Sequence, residues 1–96
     1  MISPKGRVVM ISGASRGIGL AVARNLYDAG FSLSLGVRDV QAMGKKAKDW
    51  DQGRVLIGQY DATDKKTHKS WVDETVEHYG RIDGLVNNAG IMKSVS

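Results

Sequence analysis

The sequence has no cysteine. That excludes disulfide bridges, thiolate zinc centres and a cysteine nucleophile, and it suits a reducing, cytoplasmic setting. Long apolar runs are missing too. Nothing approaches the roughly 18 apolar residues that a membrane span needs, so no membrane partner is expected. The opening stretch MISPKGRVVMIS lacks a long apolar centre and a small-residue cleavage site, and no signal peptide is expected there. There are no internal repeats, low-complexity tracts or linkers. The charge excess is small, a formal +4. It would suit an anionic ligand, but scattered lysines are usually solvated surface. The KKAK run at 45–48 lacks interleaved aromatics and a reading motif, so no nucleic-acid partner is expected. His68 and His78 stand ten positions apart with no partner at ligand spacing. Both are expected on solvated surface, and no metal site is expected.

What is present is an ordinary globular composition, 42% hydrophobic and 25% charged, in a chain of 96 residues. That length suits one small domain. Apolar runs alternate with helical patterns. Val8–Ile11 is a continuous apolar run with β-branched residues, the mark of a strand buried on both faces. Ile18, Val22 and Leu26 recur every four residues beside Ala21 and Ala29, which predicts a helix with one apolar stripe, ended by Gly30. Phe31, Leu33, Leu35 and Val37 alternate with small residues as a second strand. A weak basic helix is expected over Val40–Lys48, and a third strand over Val55–Ile57 with a possible extension to Tyr60. Asp64–Tyr79 reads as a helix stopped by Gly80, with Val72, Val76 and Tyr79 sharing a face with Trp71 and Thr75. Trp71 is expected in the core. Leu85–Val86 closes the series as a fourth strand.

The order β-α-β-α-β-α-β implies right-handed crossovers and a parallel sheet covered by helices. The expected fold class is α/β, a Rossmann-type doubly wound parallel sheet truncated to four strands in order 3-2-1-4, with three helices. Residues 1–96 form a single partial domain in this reading. The fourth strand is then a sheet edge, and edges recruit other chains, so self-association through it is expected.

The stretch SGASRGIG, residues 12–19, lies between the first strand and the first helix. A helix N-terminus offers free N–H groups and a partial positive charge to an anion, provided the backbone can come close. Gly13 permits a tight exit from the strand. Gly17 and Gly19 remove side chains where a pyrophosphate or the facing strand must approach. Ser15 adds a hydroxyl that would bond phosphate. The same residues also suit an ordinary glycine-rich turn.

With Ser12 in front, the Gly-x-x-x-Gly-x-Gly spacing resembles the cofactor signature of the short-chain dehydrogenase/reductase family. Two further stretches match in order. DATD at 61–64 is similar to that family's segment after its third strand, and NNAG at 87–90 to the one ending its fourth. The resemblance spans essentially the whole chain but only the first part of the family's domain. It implies that Gly13, Ser15, Arg16, Gly17, Ile18 and Gly19 line the pyrophosphate and ribose of a nicotinamide cofactor. Asp61 would accept from the adenine amino group, with Ala62 against the ring. Asn87, Ala89 and Gly90 would pass beside the adenine ribose, the asparagines also bracing the strand ends. On the residues alone, Asp61 equally suits a turn or helix cap, and the NNAG segment a strand-end turn.

Cofactor choice lies at the end of the second strand, which reads Gly36-Val37-Arg38-Asp39. A ribose 2′-hydroxyl is gripped there by a carboxylate, whereas a 2′-phosphate needs cations. The family alignment puts Val37 at the acid position and Arg38 next to it. Arg38 would pair bidentately with phosphate, with Arg16 opposite, so NADP(H) is favoured over NAD(H). A shift of that alignment by one or two residues would make Asp39 the ribose-binding acid.

The family's chemistry uses a tyrosine with a lysine four residues later, plus a serine and an asparagine. Here the residues four after Tyr27, Tyr60 and Tyr79 are Phe31, Asp64 and Asp83. No catalytic residue is nominated. The expected function is the NADP(H)-binding portion of an oxidoreductase that moves hydride between cofactor and a carbonyl or alcohol. The alternatives are a non-enzymatic dinucleotide-binding module and a fragment with no function of its own.

Overall fold

A computed structural model describes residues 5–88. Its elements alternate as β1 (Val8–Ser12), α1 (Gly17–Ala29), β2 (Ser32–Val37), α2 (Val40–Lys46), β3 (Val55–Gln59), α3 (Lys65–Tyr79) and β4 (Gly84–Asn87). The four strands form one parallel sheet in the order β3-β2-β1-β4. Each crossover therefore carries its helix to a face of the sheet, and all strand C-termini open on the same side. β1 is buried along its whole length, with β2 and β4 as its two neighbours. No helix among the described residues is long and apolar enough to cross a membrane.

The two faces of β2 explain how the helices sit. Leu33, Leu35 and Val37 point into the main core with Val9, Ile11, Val55, Ala23 and Met43. The alternate positions Ser34 and Gly36 are small, which makes room for α3. The Trp71 ring lies so close over Gly36 and Gly58 that a Cβ at either would meet it at 2.7 and 2.6 Å. Its indole N–H donates to the Ser34 hydroxyl at 2.9 Å, and Ser34 and Thr75 hydroxyls bond at 2.7 Å. Trp71 is thus core as expected, but through a buried polar tie as well as apolar burial.

That tie sets the rotation of α3. Trp71 and Thr75 are buried, while Val72 and Val76 are 42% and 46% exposed, contrary to the shared apolar face predicted for them. Tyr79, two turns after Trp71, follows the buried line and donates to the Leu33 carbonyl at 2.8 Å. A similar rotation holds in α1. Gly19 and Ala23 face the sheet, whereas Ile18 is 60% exposed. Small residues win the inward positions because α1 lies close to β1 and the loop that follows it. Boundaries differ modestly from expectation: α2 stops at Lys46, β3 runs on to Gln59, and β4 spans Gly84–Asn87.

The entry to β4 is pinned by one carboxylate. Asp83 accepts from the Val8 N–H at 2.8 Å and takes both arms of the Arg81 guanidinium, at 2.8 and 2.6 Å. Its own N–H donates to the Val8 carbonyl at 2.8 Å, which sets the β1–β4 register. These bonds, the Arg81 one foremost, hold the Asp83 carboxyl below the usual carboxylate range.

Candidate functional site

The sheet order reverses at β1: β2 and β3 lie to one side and β4 to the other. In open α/β sheets the ligand crevice forms beyond the strand C-termini at such a reversal. A cleft of about 450 Å³ occupies that position, within the range of about 300–1,000 Å³ usual for small-molecule sites. Its wall comes from all four strand ends: Gly13, Ser15, Arg16 and Gly17 after β1; Gly36, Val37 and Arg38 at β2; Tyr60, Asp61, Ala62 and Thr63 after β3; and Asn88 after β4.

The loop after β1 is built for close approach. Gly17 has φ +62° and open space where a side chain would project, so its backbone geometry requires glycine while its surface stays accessible. Gly19 has another reason. A Cβ there would stand 2.1 Å from the Gly13 carbonyl oxygen and 2.7 Å from the Asn88 amide nitrogen. It is a packing glycine that lets α1 press against the loop, and it does not line the cleft. The N-cap of α1, Arg16, makes no side-chain capping bond, and the first turn carries no acidic residue. The N-terminal N–H groups of α1 thus receive no side-chain cap, and the local dipole is unopposed by an acid there.

Asn88 is buried, at 3% exposure, and donates to the Gly13 carbonyl at 3.2 Å. This bond ties the end of β4 to the loop after β1, the bracing role the resemblance implies for the asparagines. The Asn88 carbonyl oxygen has no hydrogen-bond partner among the described residues. An orphaned buried acceptor in the wall, an uncapped helix start and a glycine surface together suit a phosphorylated ligand that also carries donor groups.

Asp61 forms the turn that precedes α3. One carboxylate oxygen accepts from the Thr63 hydroxyl at 2.7 Å and the Thr63 N–H at 2.9 Å. Thr63 is the main cause of an Asp61 pKa below the usual range, so this carboxylate stays ionised. The other oxygen lies 4.0 Å from the Arg38 guanidinium, whose side chain is 82% exposed. The turn reading of Asp61 is therefore realised, and one oxygen remains facing Arg38.

Of the predicted residues, the structure brings Gly13, Ser15, Arg16, Gly17, Arg38, Asp61 and Ala62 into one wall. Ile18 is exposed outside it, and Gly19 is buried behind it. Asn87 is exposed, and its side-chain oxygen accepts from the Ser12 hydroxyl at 3.1 Å. Ala89 and Gly90 lie outside the described residues. Asp39 does not serve as a wall carboxylate; it caps α2, accepting from the Ala42 N–H at 3.0 Å.

Sequence reasoning missed Tyr60, Thr63 and the wall position of Asn88. Tyr60 follows β3 directly, and its ring makes tilted contacts with His68 at 4.8 Å and Trp71 at 4.9 Å between centroids. His68 is therefore half-buried, not solvated as expected, and its Nε2 is buried without a partner among the described residues. No periodicity in the chain signals this pairing, because Tyr60 lies after β3 and His68 on α3, with the Asp61–Asp64 turn between them. Lys46 was also missed: it reaches from α2 to the Ser15 carbonyl.

These features define a Rossmann-type nucleotide-binding domain. Residues 7–96 match the model of the short chain dehydrogenase family, and the chain belongs to that family. Among its relatives, an agropine synthesis reductase of Rhizobium rhizogenes is 42% identical over 92 residues, covering 93% of this chain and 20% of the reductase. An 11-beta-hydroxysteroid dehydrogenase-like 2 protein of Arabidopsis thaliana is 36% identical over 93 residues, covering 94% of this chain and 30% of that protein. An alcohol dehydrogenase from the archaeon Thermococcus sibiricus, solved in complex with 5-hydroxy-NADP, superimposes with a TM-score of 0.76 at 34% identity. That match covers 82% of this chain and 35% of the archaeal one. The chain thus spans about a fifth to a third of the lengths of these relatives.

Proposed function

We propose that the cleft binds the adenosine end of a nicotinamide dinucleotide and prefers NADP(H) to NAD(H). The carrying observation is the charge arrangement at its rim. Arg16 and Arg38 enter from two different loops, the family alignment puts Val37 where a ribose-gripping acid would stand, and Asp39 caps α2. A 2′-phosphate placed between two guanidinium groups would be held by charge-assisted, bidentate bonds. Gly13, Ser15 and Gly17, with the α1 N-terminus, would take the pyrophosphate. The free oxygen of Asp61 would accept from the adenine amino group, with Ala62 against the ring. Asn87, Ala89 and Gly90 would pass along the adenine ribose.

When bound, the cofactor would give hydride to a carbonyl in its reduced form or take it from an alcohol in its oxidised form. The reaction of the whole oxidoreductase is then hydride transfer between NADP(H) and a carbonyl or alcohol. This chain's own residues bind and orient the nucleotide, and no Tyr-x-x-x-Lys pair lies within the 96 residues to move the alcohol proton.

Calorimetric titration with NADPH and NADH tests the reading. NADPH is expected to bind tighter, and Arg38→Asp to reverse the order. One charge-assisted contact is worth about 1.5–3 kcal/mol, roughly ten- to hundredfold in affinity. Equal affinities in the wild-type chain refute the assignment of Arg38.

A second reading concerns assembly. β4 pairs only with β1 among the described strands, and Leu85 is 63% exposed. Such an edge favours association between chains, so a concentration-dependent mass by light scattering is expected. A strict monomer at high concentration refutes it.

A further inference from the structure

Lys46 is the last residue of α2 and belongs to the lysine run that composition alone leaves as solvated surface. Its ammonium makes no ion pair among the described residues; it donates instead to the Ser15 carbonyl, 31 positions earlier in the chain. Helical side chains lean toward the N-terminus of their helix. The Lys46 stem is thereby directed back up α2, toward the side of the sheet where the strands end and the cleft opens.

The carbonyl it finds is a particular one. Ser15 precedes the N-cap of α1, so its C=O lies outside the helical ladder, which starts with the bond from Leu20 to the Arg16 carbonyl. The Ser15–Arg16 peptide is trans, like every other described here. Its C=O and N–H therefore point in opposite directions within one rigid plane. Holding the Ser15 oxygen against α2 fixes the Arg16 N–H on the other side. It also fixes the extended backbone of Arg16, φ −164°, that delivers the chain into Gly17 at φ +62°.

We infer that Lys46 is a positioning residue for the anion-binding loop: its ammonium clamps the Ser15–Arg16 peptide plane and thereby presets the backbone that receives the pyrophosphate. The inference rests on the nucleotide reading above and deepens it. Lys46 acts through Ser15 and does not itself touch the ligand. Without the clamp, the flanking torsions of Ser15 and Arg16 can rotate together, and part of the population presents the carbonyl where an N–H is needed. An anion pays for that disorder in affinity.

The test is an NMR titration of the ¹⁵N-labelled chain with NADPH, NADH and 2′-AMP, the last of which carries a phosphate on the ribose but no pyrophosphate. Lys46→Met is expected to weaken both dinucleotides about three- to tenfold, the worth of one ordinary solvent-exposed hydrogen bond. It should leave 2′-AMP within about twofold and speed amide exchange at Arg16 and Gly17. Lys46→Arg should restore most of the loss. Because Lys46 is exposed, folding is not at risk, and Lys46→Gln provides a second variant. Unchanged dinucleotide affinity in a wild-type chain that does bind them overturns the inference alone. An equal loss for 2′-AMP also overturns it, by making Lys46 a phosphate ligand. A wild-type chain that binds neither dinucleotide overturns the nucleotide reading and the inference together.

Discussion

Gly19→Ala sets two well-known effects against each other. In the interior of an exposed helix, replacing glycine with alanine stabilises by about 1 kcal/mol, because alanine has less backbone entropy to lose. Gly19 sits in the first turn of α1, where that gain is available in principle. The packing opposes it. The new Cβ would stand 2.1 Å from the Gly13 carbonyl oxygen and 2.9 Å from its carbonyl carbon. Ordinary contact between such atoms is well beyond 3 Å, so α1 or the loop must move by about 1 Å. Overpacking of this kind costs about 1–3 kcal/mol. The movement also breaks the Asn88–Gly13 bond at 3.2 Å, worth about 0.5–1.5 kcal/mol. The net expectation is a loss of about 1–3 kcal/mol. For a domain of this size each kcal/mol moves Tm by about 4–8 °C, so thermal unfolding followed by circular dichroism should show a fall of roughly 5–20 °C. Gly44→Ala is the internal control. Gly44 lies inside α2 with nothing near the Cβ position, so only the helix-propensity gain applies and stability should rise. If Gly19→Ala is as stable as the wild-type chain while Gly44→Ala behaves as expected, the close approach of α1 to the loop is wrong.

Two further outcomes follow from the tie beneath α3. Ser34→Ala removes the acceptor of the buried Trp71 indole N–H and one partner of Thr75. It should cost about 1–3 kcal/mol in denaturant unfolding, the penalty of an unsatisfied buried donor, and no loss would show that water replaces the hydroxyl. Tyr79, half-buried beside α3's inner face, has its phenol pushed up from 10.0 to about 12 by burial. Its unfolded form ionises first, so the stability it contributes is complete below pH 10 and fades as pH rises toward about 12. The wild-type chain should therefore lose stability over that window more steeply than Tyr79→Phe, as read by urea midpoints, and parallel curves would refute the burial of the phenol.

Much of this molecule was legible in the chain because its signals are local. A continuous apolar run such as Val8–Ile11 fits a strand buried on both faces, and glycines at 30 and 80 end helices wherever the chain goes next. Strands alternating with helices imply a parallel sheet with right-handed crossovers, and the doubly wound dinucleotide fold supplied the order 3-2-1-4 that is observed. The cleft's lining at Gly13, Ser15 and Gly17 was legible from the strand–loop–helix setting, and that at Arg16, Arg38, Asp61 and Ala62 through the family resemblance; a parallel sheet delivers all such strand-end loops to one side.

The tertiary structure decided what the periodicity could not. Val72 and Val76 have the right spacing for a buried face, yet Trp71 and Thr75 took it, because the indole fits over Gly36 and Gly58 and finds Ser34 across the sheet. Ile18 lost its inward place to Gly19 because the loop stands too close for a larger residue. Asp39, open in the sequence to a ribose-binding role, was taken by the α2 N-terminus, where its nearest unpaired donor lay. Lys46 and Ser15, 31 residues apart, meet only because α2 packs beside α1's entry loop. A linear pattern specifies which residues can face inward. Which of them does so depends on what stands opposite, and that is known only once the elements have docked.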